Sequence, residues 1–115
     1  MLQCPLRLMP YLTAATAAFL RASVQSDVEI EILLAMARDE SRWWNAPQLT
    51  EELAVSEADV AMALEGLAAR NLLDVRIGNT LGYRFSPLHA AARRAVEEVV
   101  SRPGLARAVV AGRTS

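Results

Sequence analysis

Three short stretches decide the fold of this chain: residues 44–54 (WNAPQLTEELA), residues 60–67 (VAMALEGL) and residues 71–73 (NLL). The first begins with a good helix N-cap, Asn45, and places a proline in the first helical turn. The second repeats apolar residues at helical spacing and is preceded by Ser56, which opens a capping box. Because few residues separate the two segments, the pattern predicts two helices joined by a tight turn.

Beyond the third stretch the hydrophobic period changes from that of a helix to that of a strand. Apolar and polar residues alternate on both sides of residues 78–80, which predicts a β-hairpin. The two apolar sets share one face only if the loop has an odd number of residues, so a three-residue loop pairs Ile77 with Leu81. The same register sets Asp74 opposite Arg84.

Further helices are predicted on both sides of this region. Upstream, Ser26 and Glu29 form a capping box before a strongly apolar helix. An earlier apolar helix begins near Pro10, and its predicted face consists of Leu12, Ala15, Phe19 and Ala22. Downstream, Ser86 and Pro87 cap a helix that ends near residue 102. The predicted division of the chain is an N-terminal helix, a central domain, a C-terminal helix and a loose tail, over residues 1–25, 26–87, 88–102 and 103–115.

The composition excludes several kinds of functional site. The chain has 115 residues with one cysteine, Cys4, and one histidine, His89, too few ligands for an internal disulfide or a Cys/His zinc site. All 12 basic residues are arginines, which removes lysine Schiff-base chemistry and the lysine of a phosphate-binding P-loop. No carboxylate pair has a nucleophile or base as its partner. We therefore expect a protein that is not an enzyme and that needs no metal or cofactor.

An apolar run at residues 8–20 raises the question of a membrane segment. The run is far shorter than the roughly 20 residues that cross a bilayer. The charged region before it, with Arg7, is weak for a signal peptide. We therefore expect a cytoplasmic protein that does not contact membranes.

The order of elements and the quoted stretches resemble the winged helix-turn-helix domains of bacterial transcriptional regulators. The resemblance covers about residues 26–87 and names no particular family among them. It implies a mainly α fold with a small β-hairpin, called the wing, and here with additional helices at both ends. In such domains the second helix of the pair enters the major groove, and the wing touches phosphates or the minor groove. The resemblance therefore implies a DNA-binding transcriptional regulator.

Charge is distributed unevenly over the candidate DNA-contacting elements. The net charge is −1, but residues 27–75 carry −8 and residues 76–115 carry +5. On the second helix the acids are repelled by phosphates, and Ser56 alone near its start can donate to one. The wing is more favourable because its arginines flank polar loop residues. The candidate DNA contacts are Ser56, Asp59, Met62, Arg70, Arg76, Asn79, Thr80 and Arg84.

Several of these arginines, and the neighbouring tryptophans, can stabilise the fold instead of contacting a ligand. Arg84 is expected to pair with Asp74 across the hairpin. Arg93 and Arg94 are expected to pair with Glu97 and Glu98 one helical turn later, although they can also extend a basic strip beside the wing. One of the two adjacent tryptophans, Trp43 or Trp44, is expected to anchor the core, although the pair can also hold a planar ligand.

The charge pattern also supports an alternative function, a winged helix that binds protein instead of DNA. The surface for such a partner is the acidic, small-residue face of the second helix, formed by Ala58, Met62, Ala63, Gly66 and Ala69. In either case we expect a homodimer in which the N-terminal and C-terminal helices meet. The expected dimer contacts are Leu12, Phe19, Leu88, Val96 and Val99.

Overall fold

The predicted helix pair and hairpin are both present in a computed structural model, which describes residues 12–114. The helices and strands in chain order are α1 (Ala14–Ser23), α2 (Asp27–Ala37), α3 (Ala46–Leu53), α4 (Glu57–Ala69), β1 (Leu73–Ile77), β2 (Leu81–Phe85), α5 (Ala90–Ser101) and α6 (Pro103–Thr114). The predicted helix start near Pro10 and the single cysteine, Cys4, lie outside the described residues.

Local capping explains how α3 and α4 are joined. The Asn45 side chain accepts from the amide of Gln48 at 2.9 Å, and the Gln48 side chain accepts from the amide of Asn45 at 3.0 Å. Ala54 takes a left-handed conformation at the end of α3, with φ at 56°. Ser56 then accepts from the Asp59 amide at 3.2 Å and starts α4. These contacts confirm the predicted turn between the two helices.

The hairpin has the predicted register. Ile77 faces Leu81 and Asp74 faces Arg84 in an antiparallel pair. The extended segment before α3 joins the hairpin through one bridge, since Trp44 and Tyr83 exchange two backbone hydrogen bonds of 2.7 Å. Trp44 is buried there, which confirms that one tryptophan anchors the core.

The hydrophobic core is built around α2, as its apolar sequence predicts. The helix is surrounded by α4, α5 and α6, and it also contacts α3 and β2. Its buried apolar residues are Ile30, Ile32, Leu33, Leu34 and Met36. The wing therefore projects from a largely helical body.

The prediction of a loose tail after residue 102 is wrong. Pro103 ends α5 but begins α6, because a proline in the first turn of a helix sacrifices no helical hydrogen bond. Ala106 and Val110 of α6 are fully buried and belong to the same core as α2. The Arg107 guanidinium also binds Glu31 of α2 with contacts of 2.6 and 3.0 Å.

Two other helix predictions need correction. Helix α1 starts at Ala14 after the N-cap Thr13, and it buries Thr16 and Leu20, so the predicted face is wrong by about one residue. Helix α5 starts at Ala90 instead of following Ser86 and Pro87 directly, and its N-cap His89 makes no capping hydrogen bond. The hydrophobic pattern located both helices but not their first residues.

The capping box predicted at Ser26 is half correct. Ser26 accepts from the Glu29 amide at 3.1 Å. The Glu29 carboxylate, however, accepts from the Gln25 amide at 2.7 Å instead of from Ser26. It is drawn away because it also binds Arg70, which lies 41 residues later in the chain.

Candidate nucleic-acid interface

The wing has one face on which arginines lie beside an aromatic ring. The Cζ atoms of Arg76 and Arg84 lie 4.3 and 4.5 Å from the ring centroid of Trp43. Gly82 lies beside that ring, since a Cβ on Gly82 would be in ordinary van der Waals contact with Cε3 of Trp43, at 3.5 Å. We call these residues, Trp43, Arg76, Gly82 and Arg84, the arginine face of the wing. Cation–π contact holds both guanidinium groups while leaving their outer sides open to solvent.

The two arginines of this face differ in their carboxylate partners. Arg84 binds Asp74 across the hairpin at 3.0 Å, as the register predicts, and both side chains are more than a third exposed. Arg76 is exposed and, among residues 12–114, has no carboxylate within ion-pair distance. Its positive charge is therefore available to an anion.

The opposite face of the wing is apolar and incompletely covered. Tyr83 and Phe85 are buried against the core, but Val75 and Leu81 are about half exposed and Ile77 is 84% exposed. The end of the hairpin near its loop is therefore not covered by the rest of the protein. This shape lets the wing reach a partner surface.

The exposed face of α4 is acidic, as expected from the sequence. Glu57, Asp59 and Glu65 are all exposed, and Met62 between them is 72% exposed. Ala63, which was assigned to the outer face, is only 4% exposed and belongs to the core. The outer face of α4 thus consists of acidic and small or apolar side chains.

Arg70, the C-cap of α4, points inward. Its Nη1 donates to the Glu29 carboxylate at 2.6 Å and to the carbonyl of Ser23 at 2.8 Å. The Glu29 side chain is only 8% exposed and that of Arg70 is 23% exposed. This ion pair joins α4 to α2 and to the end of α1, so the guanidinium is occupied within the fold.

The structure divides the predicted DNA contacts into separate groups. Arg76, Thr80 and Trp43 line a hollow of 170 Å³ beside the wing. Asp59, Met62 and Arg70 line a different hollow, at the start of α2. The remaining candidates are Ser56, exposed at the start of α4, Asn79, exposed in the wing loop, and Arg84 on the arginine face. The basic candidates on the wing come together, whereas those of α4 do not join them.

Sequence reasoning missed the role of Trp43, which it treated as a candidate core residue or as part of a planar-ligand site. Its ring organises the arginine face, although residue 43 precedes the hairpin by some 30 positions in the chain. A signal was present in Gly82, the one strand position without a side chain, directly opposite Arg76. A glycine within a strand often marks the close approach of another group.

A second open region lies between α1 and α5. This cleft has a volume of about 660 Å³, and its lining includes Thr13, Ala18, Phe19, Ala91 and Glu98. Hydrogen bonds from the Thr13 amide, the Thr13 hydroxyl and the Thr16 hydroxyl reach the Glu98 carboxylate at 3.0, 2.9 and 2.6 Å. Burial alone raises the pKa of Glu98, but these hydrogen bonds outweigh burial and hold that pKa below its ordinary value.

The charges of α5 are used differently from the prediction. Glu98 binds the two threonines of the α1 segment instead of Arg94. Arg93 binds Glu40 beyond the end of α2 at 2.6 Å instead of Glu97. Both contacts tie α5 to other elements, so the expected pairing along the helix surface is wrong for Arg93 and Glu98.

Most of the expected dimer contacts are buried within one chain. Leu12, Val96 and Val99 belong to the core and have no surface to offer a second copy. Phe19 is half-buried on the cleft wall, and Leu88 is 67% exposed. The apolar spacing that suggested an interface therefore reports the packing of α1 and α5 in the core.

The fold matches that of a solved winged-helix transcriptional regulator, the reduced form of HlyU from Vibrio cholerae N16961. The match has a TM-score of 0.57 at 18% sequence identity and covers 75% of this chain and 86% of that chain. The chain has a winged-helix fold. No family model matches the sequence, and no curated protein matches it. At this identity the likeness establishes the fold alone.

Between residues 12 and 114, no helix combines the length and apolar character needed to cross a bilayer. Over the same residues, no group of three or more His, Cys, Asp or Glu side chains is placed to hold a metal ion.

Proposed function

We propose that this chain is a cytoplasmic winged-helix transcriptional regulator, without enzymatic activity, that contacts DNA through the arginine face of the wing. The observation that carries the proposal is Arg76: exposed, supported by Trp43 and without a carboxylate partner among the described residues. An arginine in this state can bind a phosphate without first breaking an ion pair. Thr80 and Asn79 at the wing loop add hydrogen-bonding groups beside it.

The acidic residues of α4 disfavour contacts between this helix and DNA. Glu57, Asp59 and Glu65 are repelled by the DNA backbone, and the outer face of α4 carries no side chain suited to bidentate reading of a base. We therefore propose contacts to phosphates that depend little on sequence, with Arg70 left out because it is bound to Glu29. Affinity from one wing is expected to be low and strongly dependent on salt.

The test is a salt titration with a mixed-sequence DNA duplex followed by fluorescence anisotropy. Loss of one phosphate contact in Arg76→Gln is expected to lower the slope of log K against log salt by about one. Arg38→Gln is the matched control, since Arg38 is an exposed arginine at the end of α2. An identical slope in the wild type and in Arg76→Gln would remove the wing from the interface, and no binding at low salt would reject the function.

We further propose that the regulator is a homodimer that uses the rim of the cleft between α1 and α5. Phe19 and Leu88 are the predicted contacts that remain accessible, and exposed alanines let a second copy approach closely. A dimer presents two wings and so compensates for weak binding by one. Ala18→Glu on the cleft wall is expected to give a monomer in sedimentation analysis. Ala108→Glu, an exposed position on α6, is expected to leave the dimer intact; equal effects would place the interface elsewhere.

A further inference from the structure

A cleft of 280 Å³ separates the wing from α4 on the apolar face of the hairpin. Its walls include Ala46 and Pro47 at the start of α3, Glu57, Ala61 and Glu65 on α4, and Leu81 on β2. We call this region the acidic cleft. Its volume lies just below that of ordinary small-molecule pockets, so it suits a protruding side chain better than a whole ligand.

The charged groups of the acidic cleft are available to a partner. Glu57 and Glu65 lie two helical turns apart, about 12 Å along the axis, with the small residue Ala61 between them. Neither carboxylate has an ion-pair partner among residues 12–114, and no arginine or histidine lines the cleft. Burial and, secondly, the negative charge of Glu65 raise the pKa of Tyr83, which places that charge close to the cleft wall.

The apolar groups beside the acidic cleft are also uncovered. Leu81 is half exposed on its wall, and the cross-strand neighbour of Leu81, Ile77, is the most exposed large apolar side chain described. Contiguous apolar surface with a charged rim is typical of a protein interface. Phosphates are repelled by the two carboxylates, so this surface suits a different partner from that of the arginine face.

We propose that the acidic cleft is a docking site for a segment of another protein in which an apolar side chain is flanked by arginines or lysines. The apolar side chain enters between Ala61 and Leu81, and the flanking cations reach Glu57 and Glu65. Charge complementarity selects this occupant, because the charged residues that line the cleft, Glu57 and Glu65, are both acidic, and the rest of its lining is apolar or uncharged. The site differs from the protein-binding face expected from sequence, in which Ala63 is buried and Met62 lies on another part of α4.

The first experiment locates the binding of a defined probe on the whole chain. The probe is a short amphipathic peptide built from lysine and leucine at helical spacing, and the same peptide with glutamate in place of lysine is its control. Amide chemical shifts of the labelled protein are expected to change at the start of α3, along α4 and in β2 with the basic peptide only. Changes centred on another surface, or equal binding of the glutamate peptide, would overturn the proposal.

The second experiment measures affinity for the same probe by calorimetry. The double variant Glu57→Lys/Glu65→Lys is expected to weaken binding more than about 30-fold, because it reverses both contact charges. Its control, Glu51→Lys/Glu52→Lys, makes the same charge change at exposed positions on α3 and is expected to cost less than about threefold through screened long-range attraction. Equal losses would show general charge attraction and would overturn the docking site.

Further variants distinguish blocking of the cleft from loss of folding, from DNA binding and from self-association. Ala61→Arg places a large cation on the exposed cleft floor and is expected to weaken binding by about tenfold or more, with an unchanged circular dichroism spectrum. Arg76→Gln is expected to leave peptide binding unchanged, so failure of this site and failure of the DNA proposal are distinguishable. If the chain self-associates and Glu57→Lys/Glu65→Lys abolishes that association, a second copy occupies the cleft and the proposal is overturned.

Discussion

The end of α4 and the wing both carry arginines, but the arginine of α4 lies in an ion pair within the fold and those of the wing lie at the surface. Arg70 is turned into the protein, where a nearly buried carboxylate, Glu29, occupies it. Arg76 and Arg84 lie at the surface against Trp43, and the single acid beside them, Asp74, is itself exposed. A buried ion pair cannot exchange its partner without stranding a charge, whereas an exposed arginine can. Whether an arginine stabilises the fold or can bind a partner therefore depends on how deeply the nearest carboxylate is buried.

The largest expected effect comes from removing the buried carboxylate. Glu29→Ala leaves Arg70 partly buried without a counter-charge and should lower the free energy of unfolding by about 2–4 kcal/mol. Its control, Glu31→Ala, removes a carboxylate from the same helix whose ion pair with Arg107 is exposed, and should cost about 0.5 kcal/mol. Urea denaturation of both variants measures the difference. Similar losses of unfolding free energy in the two variants would show that the buried ion pair contributes no more to stability than the exposed one.

The next effect comes from the ring that supports the arginine face. Trp43→Ala removes a half-buried aromatic side chain and two cation–π contacts, which should lower the free energy of unfolding by about 1–2 kcal/mol. The variant should also weaken DNA binding to the level of Arg76→Gln, whereas Trp43→Phe should retain most of both properties. Thermal unfolding and anisotropy check the two parts. Unchanged DNA affinity in a folded Trp43→Ala protein would show that the ring does not position Arg76.

Neutralising Asp74 on the wing is expected to change stability less than Trp43→Ala does. It is expected to strengthen DNA binding, whereas Trp43→Ala weakens it. Asp74→Asn releases Arg84 and should alter the free energy of unfolding by less than about 0.5 kcal/mol. With Arg84 released, the salt slope of DNA binding should become steeper by about one. Glu40→Gln, which releases Arg93 from a similarly exposed pair, should leave the slope unchanged. A shallower slope in Asp74→Asn would contradict the assignment of the arginine face.

The smallest expected effect is a change in the pKa of Tyr83 when the negative charge of Glu65 is removed. Burial is the larger cause of the raised pKa of Tyr83, and the negative charge of Glu65 is the second. Glu65→Gln removes a charge that disfavours the phenolate, so the pKa of Tyr83 should fall while staying above its ordinary value. Ultraviolet titration in a Tyr11→Phe background isolates Tyr83, and Glu52→Gln is the control. An unchanged pKa in Glu65→Gln would place its charge away from the cleft wall.

Much of the fold could be predicted because its determinants are close together in the chain. Asn45 caps α3 and Ser56 caps α4 through contacts three residues away. The hairpin register followed from counting, because side chains alternate between faces with a period of two. The candidate site was predicted less well. Arg76 was predicted to lie on the wing, and it does, but neither the position of Trp43 beside it nor the ion pair of Arg70 with Glu29 follows from local spacing.

The helices at the two ends show the limit of apolar patterns. The spacing of Val96 and Val99 was interpreted as an interface between two copies, whereas both residues face the core of one chain. The break at Pro103 was interpreted as the end of structure, whereas α6 continues beyond it and buries Ala106. A pattern of this kind indicates that a face is covered, but it does not indicate which element covers it.

The amino-acid sequence by itself determined the helix pair, the wing, their caps and the hairpin register, since each depends on hydrogen bonds or side-chain periods within a few residues. Tertiary structure alone decided which charges remain available. The partner of Glu29 lies 41 residues away and that of Glu31 lies 76 residues away. Such pairs form only when packing of the apolar faces brings distant helices together, because burial of nonpolar surface sets the arrangement and the charges follow it. The sequence therefore determines that α4 is acidic and that the wing carries arginines. The fold determines that Arg76 is exposed and that Arg70 is partly buried in an ion pair with Glu29.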